Sequence, residues 1–253
     1  MRFAHALAAL SFSCAHSTTP AAPAKLPAVD YAALVAAPDR TDADRALDAG
    51  RHPAQMLEFL GVAPGMRVAE LGAARGYTTE LLVRAAGPTG TVYGQNSPMV
   101  LQRFAEKPWG ERLARPVNAR VVRLDREFDS PFPPELHDLD LVVMNVIYHD
   151  TVWMKIDRDK MNKAVFDALR PGGAYVVIDS SGRPGTGVTE ADTLHRIDEQ
   201  TVRDEVGRAG FRFAGESSFL RNPSDTRDWN SSPVAAGERR GTSDRFAFKF
   251  VKP

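Results

Sequence analysis

From about residue 66 onward, short apolar runs alternate with stretches of helical periodicity. Val68 to Leu71, apolar apart from Glu70, is a run of the length of one buried strand. Gly72, small residues and Gly76 follow, and then Leu81 and Leu82 trail Tyr77 at helical spacing. Gly87-Pro88-Thr89-Gly90 is a turn, after which Thr91 to Gly94 predicts a second strand and Val100 to Glu106 a short amphipathic helix. Ala119 to Leu124 predicts a third strand leading into Asp125, and Phe128 to Pro134 a proline-rich bend. Leu139 to Asn145 is almost continuously apolar, the pattern of a central parallel strand buried on both faces. A helix is expected over Asp157 to Leu169, with Ile156, Met161, Val165 and Leu169 on one side. Arg170-Pro171-Gly172-Gly173 breaks it before a fifth strand, Ala174 to Asp179. Thr193 to Asp198 is expected to start the next helix, which ends at Ala209-Gly210-Phe211 ahead of a sixth strand, and Arg245 to Phe250 forms the closing strand. Upstream, Thr41 with Asp44 at the third helical position is a capping-box variant with Gly50 as the stop. Pro53 can open another helix, with Met56, Leu57 and Leu60 sharing a face. Strands alternating with helices at this spacing predict an α/β sheet.

Composition narrows the picture. With 253 residues, one α/β domain with appendages fits better than two full domains. The 32 basic residues balance 32 acidic ones, so nothing points to a nucleic-acid surface. The expected partner is a small molecule. A single cysteine, Cys14, rules out an intramolecular disulfide.

The N-terminus reads as processing rather than fold. Arg2 precedes an apolar stretch from Phe3 to Phe12, interrupted by His5. Cys14 comes next, then a Ser/Thr/Pro/Ala-rich linker from Ala15 to Pro27. A short positive start, a brief apolar region and small residues resemble an export signal. The placement of Cys14 resembles the acylated cysteine of bacterial lipoproteins, although Ser11 sits where leucine is usual. The expectation is an exported, periplasmic or membrane-anchored lipoprotein, with a disordered cytosolic tail as the alternative. Residues 1–26 then form a signal and linker, 27–64 leading helices, and 65–253 the α/β domain.

The turn after the first strand carries a family resemblance. Glu70-x-Gly72-x-Ala74-x-Gly76 resembles motif I of the class I S-adenosylmethionine-dependent methyltransferases, an acid followed by G-x-G-x-G. The spacing differs from the phosphate-binding G-x-G-x-x-G loop. The strand ending at Asn145 and the turn before the fifth strand match further landmarks of that family in order. The resemblance implies a doubly wound, seven-stranded Rossmann-like sheet, mostly parallel with an antiparallel last strand, and S-adenosylmethionine as cofactor. It implies that Glu70, Gly72, Ala74 and Gly76 hold the amino-acid end of the cofactor, that Asn96 stands where an acid accepts from the ribose, that Asp125 meets the adenine, and that Asn145 at the end of the fourth strand is a further cofactor-binding candidate. Ala74 for glycine and Asn96 for the acid are departures. An amide lacks the charge that strengthens such a bond. The closing segments are similar to a group of exported bacterial proteins known only as predicted methyltransferases.

Acceptor chemistry is expected where the fourth strand delivers Asn145, Tyr148, His149 and Asp150 to the carboxyl edge, since ligands bind there in open α/β sheets. His149 is the first candidate base and His195 the second, because a neutral imidazole accepts a proton near neutral pH. Tyr148 and Asp150 join them as catalytic candidates, with a turn hydrogen bond for His149 and a helix cap for Asp150 as local alternatives. Arg196 and Arg221 are candidates for an anionic acceptor group. Trp229, in the aperiodic stretch from Arg221 to Asp244, is a candidate substrate wall. His149 and His195 lie far apart in sequence, so no compact metal motif is legible. Two other readings stay open: an exported methyltransferase fold that only binds a ligand, and one doing acid/base or metal chemistry without methylation.

Overall fold

A computed structural model describes Met1 and residues 29–253. The proposed signal segment and Cys14 lie outside the described residues.

The strands are β1 (Arg67–Leu71), β2 (Thr91–Asn96), β3 (Val121–Asp125), β4 (Leu139–Asn145), β5 (Leu169–Ser180), β6 (Arg212–Ser217) and β7 (Arg245–Val251). They form one seven-stranded sheet in the order β3-β2-β1-β4-β5-β7-β6. β1 to β5 pair in parallel, whereas β7 runs antiparallel to both β5 and β6. The expected sheet is therefore the observed one.

Side chains alternate across a strand, and in the central strands both faces are buried. Ala69, Leu71, Val142, Met144, Tyr175 and Val177 join one apolar core, while Val68, Leu141, Val143, Val176 and Ile178 join the other. Helices cover both faces. They are α1 (Tyr31–Val35), α2 (Asp42–Arg51), α3 (Pro53–Leu60), α4 (Tyr77–Ala86), α5 (Pro98–Val100), α6 (Glu106–Leu113), α7 (Asp150–Trp153), α8 (Arg158–Ala168), α9 (Ala191–Leu194) and α10 (Glu199–Arg208). Met56, Leu57 and Leu60 of α3 are fully enclosed in the second core, each burial contributing roughly 1.5–3 kcal/mol. Among the described residues no helix is long and apolar enough to cross a membrane.

Four boundaries differ from the sequence pattern, each for a local reason. α2 runs one residue past Gly50 and ends at His52, which takes the left-handed conformation at φ 46°. Gly50 instead serves a close approach, because a Cβ there would lie 2.9 Å from the Gly241 Cα. β2 continues to Asn96, since Gln95 and Asn96 are buried and pair with Leu124 and Asp125. The Arg170–Gly173 breaker bulges out of β5 between the pairs Leu139–Leu169 and Leu141–Ala174. Thr193–Asp198 does not open a helix. His195 ends α9 in the left-handed conformation, Ile197 bridges to Ser181, and Asp198 caps α10 by accepting from the Gln200 N–H at 3.0 Å.

Candidate functional site

The chain order of the sheet reverses between β1 and β4, and both strands end in residues of the candidate site. After β1, Gly72, Ala74 and Gly76 hold φ of 69°, 48° and 78°. Glycine carries no Cβ to clash in that region, whereas Ala74 adopts it as a non-glycine residue. The turn is tightly enclosed. A Cβ on Gly72 would lie 2.9 Å from Ile147, and one on Gly76 would lie 2.4 Å from the Trp109 ring.

Backbone groups of this turn are held by β2. Gly72 N–H donates to Gln95 Oε1 at 3.0 Å and Ala74 N–H to Asn96 Oδ1 at 2.7 Å, while Asn96 Nδ2 donates back to the Ala74 carbonyl at 3.2 Å. Asn96 is fully buried. Its amide is thus engaged with the turn itself. Glu70 sits beneath the turn and accepts from the Thr79 hydroxyl. Burial raises its pKa to about 7, against the lowering influence of the Thr79 and Thr78 hydroxyls and Arg51. Asn145 also belongs here. It donates to Thr78 Oγ1 at 3.0 Å and ties the end of β4 to the start of α4.

The leading helices fasten onto the same point. Tyr77, first residue of α4, donates to Asp48 Oδ1 at 2.6 Å and carries the Arg51 guanidinium 4.4 Å from its ring centre. Arg112 pairs with Asp44 of α2 at 2.7 Å and with Glu80 of α4 at 2.7 Å. Arg51, Tyr77 and Gln95 have no motif signature, because their partners are distant in sequence.

At the end of β4 the chain turns sharply, with Val146 at φ 56°. Tyr148 and His149 then point to different environments. Tyr148, expected as catalytic, is instead a core residue with 0 % exposure. Its hydroxyl donates to Glu205 at 2.8 Å and accepts from Asn162 at 2.9 Å. His149 is 3 % exposed and its Nδ1 lies 2.7 Å from Asp179 Oδ1. Asp179 also accepts from the backbone N–H of His149 and of Ser180. On the other side, His149 Nε2 lies 3.1 Å from Asp150 Oδ1 and 3.2 Å from His195 Nδ1, and those two atoms are 3.2 Å apart. Burial pulls the His149 pKa down, but Asp179 and Asp150 outweigh it and carry it up to about 10. The ring thus sits between two carboxylates, Asp179 at Nδ1 and Asp150 at Nε2. Burial raises the Asp150 pKa, yet bonds from His149, His195 and Trp153 leave it well below the usual carboxylate range. His195 is the open member, its side chain 27 % exposed.

The remaining candidates do not converge on this cluster. Arg196 is 0 % exposed and bonds to Asp225, the Ser181 carbonyl and the Trp229 carbonyl, with its guanidinium 4.7 Å from the Trp229 ring centre. The Trp229 indole N–H donates to Asp225 at 2.7 Å. Both residues pin the loop before β7. Arg221 pairs with Glu199 at 2.6 Å and lines a polar cleft of about 630 Å³ with Gly182, Asp198, Arg203, Arg227 and Asp244. Asp125 is exposed at the end of β3 and pairs with Arg123 at 2.7 Å.

The strand order, the antiparallel β7 and the turn after β1 define the Rossmann-like methyltransferase fold. No family model matches the sequence. Solved structures similar to the chain include an S-adenosylmethionine-dependent methyltransferase from Aquifex aeolicus, at 16 % identity and TM-score 0.59 over 89 % of this chain and 100 % of that one. A complex between the Haloferax volcanii Trm112 methyltransferase activator and a proposed methyltransferase matches at 19 % identity and TM-score 0.58, over 88 % of this chain and 98 % of that one. Fibrillarin from Aeropyrum pernix with natively bound S-adenosyl-L-methionine matches at 15 % identity and TM-score 0.50, over 75 % of this chain and 68 % of that one. These likenesses establish the fold.

Proposed function

We propose that the protein is an S-adenosylmethionine-dependent methyltransferase acting on a small molecule. The observation that carries this reading is the sheet's switch point: the glycine turn leaves β1 and the His149–Asp150–His195 cluster follows β4, the strand beside it. Open α/β sheets bind ligands in the crevice at such a point. One structural neighbour carries the cofactor natively, in keeping with this reading.

The residues present fit the amino-acid end of the cofactor. Glu70 offers an acid whose charge is poorly compensated, and Gly72, Ala74 and Gly76 shape a close backbone turn. The bound group supplies a methyl already activated on a sulfonium, so the chain's part is alignment and exclusion of water. His195 and Asp150, at the open side of the cluster, orient the acceptor's polar group, while His149, locked by Asp179, holds His195 in place. Export with lipidation of Cys14 belongs to the same proposal. Cell fractionation of wild type and Cys14→Ser tests it, and a wild-type protein found only in the cytosol removes it.

The test is calorimetric titration of S-adenosylmethionine and S-adenosylhomocysteine into the full chain. Micromolar binding is expected, lost in Gly72→Val, where a branched side chain meets both a left-handed backbone and Ile147. Circular dichroism verifies that this variant folds. Absence of binding at millimolar ligand sinks the reading. One observation favours a second one, a methyltransferase fold that only binds another ligand: the Asn96 amide is spent on Ala74. That reading gains if no S-adenosyl compound binds.

A further inference from the structure

Three ligand atoms from two distant segments close a triangle at the carboxyl edge. His149 Nε2, Asp150 Oδ1 and His195 Nδ1 are separated by 3.1, 3.2 and 3.2 Å. Hydrogen bonding cannot fill all three edges. Each edge needs its own proton, a carboxylate oxygen brings none, and each imidazole nitrogen brings at most one. A cation satisfies all three atoms together. Bonds of about 2.0–2.1 Å set neighbouring ligand atoms roughly 3.3 Å apart in a tetrahedron and roughly 2.9 Å apart in an octahedron. The observed edges fall between those values.

The surroundings are those of a built site. Asp179, fully buried, takes the His149 Nδ1 proton at 2.7 Å and is itself fixed by the backbone N–H groups of His149 and Ser180. A carboxylate on the far nitrogen orients a ligating imidazole and raises its basicity. Asp150 is steadied by the Trp153 indole N–H at 2.7 Å. Two carboxylates bearing on two imidazoles favour a doubly charged ion. The partly exposed His195 leaves an approach from solvent.

We infer that His149, Asp150 and His195 form a binding site for one divalent first-row transition-metal ion, with Asp179 as the carboxylate that positions His149. Two nitrogens and one oxygen suit zinc, iron, cobalt or manganese rather than calcium or magnesium, which prefer all-oxygen shells. Three protein ligands leave at least one position for a water or an acceptor oxygen. The site goes beyond methyl transfer and stands whether or not the protein binds S-adenosylmethionine.

The probe is Zn²⁺ titrated by calorimetry into the chelator-treated full chain, with Co²⁺ absorption as a second readout. One ion per chain is expected at micromolar affinity or tighter, together with visible d–d bands from the cobalt form. Both are expected to vanish in His195→Ala and Asp150→Asn. His195→Ala retains His5, Cys14 and His16, so its loss of binding locates the ion in this cluster rather than near the N-terminus. Asp179→Asn is expected to weaken binding roughly 10–100-fold. His149→Ala is not needed, which avoids a variant that strands Asp179. Failure of Zn²⁺ to bind saturably, or binding unchanged in His195→Ala, overturns the inference.

Discussion

Replacing Glu70 by glutamine tests the electrostatics beneath the glycine turn. The side chain is almost wholly buried, and its pKa rises from the ordinary 4.5 to about 7 because burial disfavours its charge. The folded state therefore keeps a proton that the unfolded chain has already released between these values. Stability consequently falls as pH rises through that window and levels off above about 7. At about 1.4 kcal/mol per pH unit, the wild type carries a penalty of about 3 kcal/mol at pH 8 and about 1 kcal/mol at pH 5. Glutamine is never charged, and its carbonyl still accepts from Thr79. Glu70→Gln is thus expected to be more stable than wild type by an amount that grows between pH 5 and pH 8. Urea unfolding followed by circular dichroism at several pH values measures this. A stability difference that stays constant over the range, or that favours wild type more as pH rises, refutes the reasoning. The same variant is expected to weaken S-adenosylmethionine binding above pH 7, where the native carboxylate would face a cationic ligand.

Other perturbations address the loop, the turn and the packing beside it. Arg196→Met removes the guanidinium that joins Asp225, Ser181 and the Trp229 carbonyl. It is expected to cost about 1–3 kcal/mol, because Asp225 keeps only the Trp229 indole and the Arg227 and Asp244 N–H groups as donors, and lysine is not expected to rescue it because one ammonium lacks the planar fork; a loss under about 0.5 kcal/mol in urea unfolding contradicts this. Asn96→Asp places a carboxylate against the Ala74 carbonyl and is expected to destabilise by about 1–3 kcal/mol without tightening cofactor binding, as read by thermal melting and calorimetry. In Gly94→Ala the new methyl would lie 2.8 Å from the Trp109 ring. Overpacking of this kind costs about 1–3 kcal/mol, and Trp109→Phe in the same chain is expected to restore part of it. A neutral effect of Gly94→Ala on the melting temperature would show that the ring moves aside freely.

The elements and their class were legible because they follow from short-range periodicity. Val68–Leu71 and Leu139–Asn145 read as buried strands since covalent geometry puts successive side chains on opposite faces. The glycine turn was legible because left-handed backbone favours glycine, and two glycines fall within a few positions of each other. Strand order was legible only through resemblance; nothing local to Arg245–Val251 says that it inserts between β5 and β6. The site divided along the same line. His149, Asp150 and His195 were each visible as candidates, yet their closure into one triangle depends on how α9 ends, which brings together histidines 46 positions apart. Tyr148 and His149 are neighbours in sequence, and only the turn at Val146 decides that one enters the core and the other meets Asp179. Arg196 read as a substrate group because its partner Asp225 lies in a stretch without periodicity. The bonds of Asn96 to the Ala74 backbone appear only in the fold, because a pattern carries no record of which backbone group an amide will reach. Local chemistry thus settled which segments are strands, helices and turns. Charge pairing and burial across the sheet edge act through space, and only the folded chain decides them.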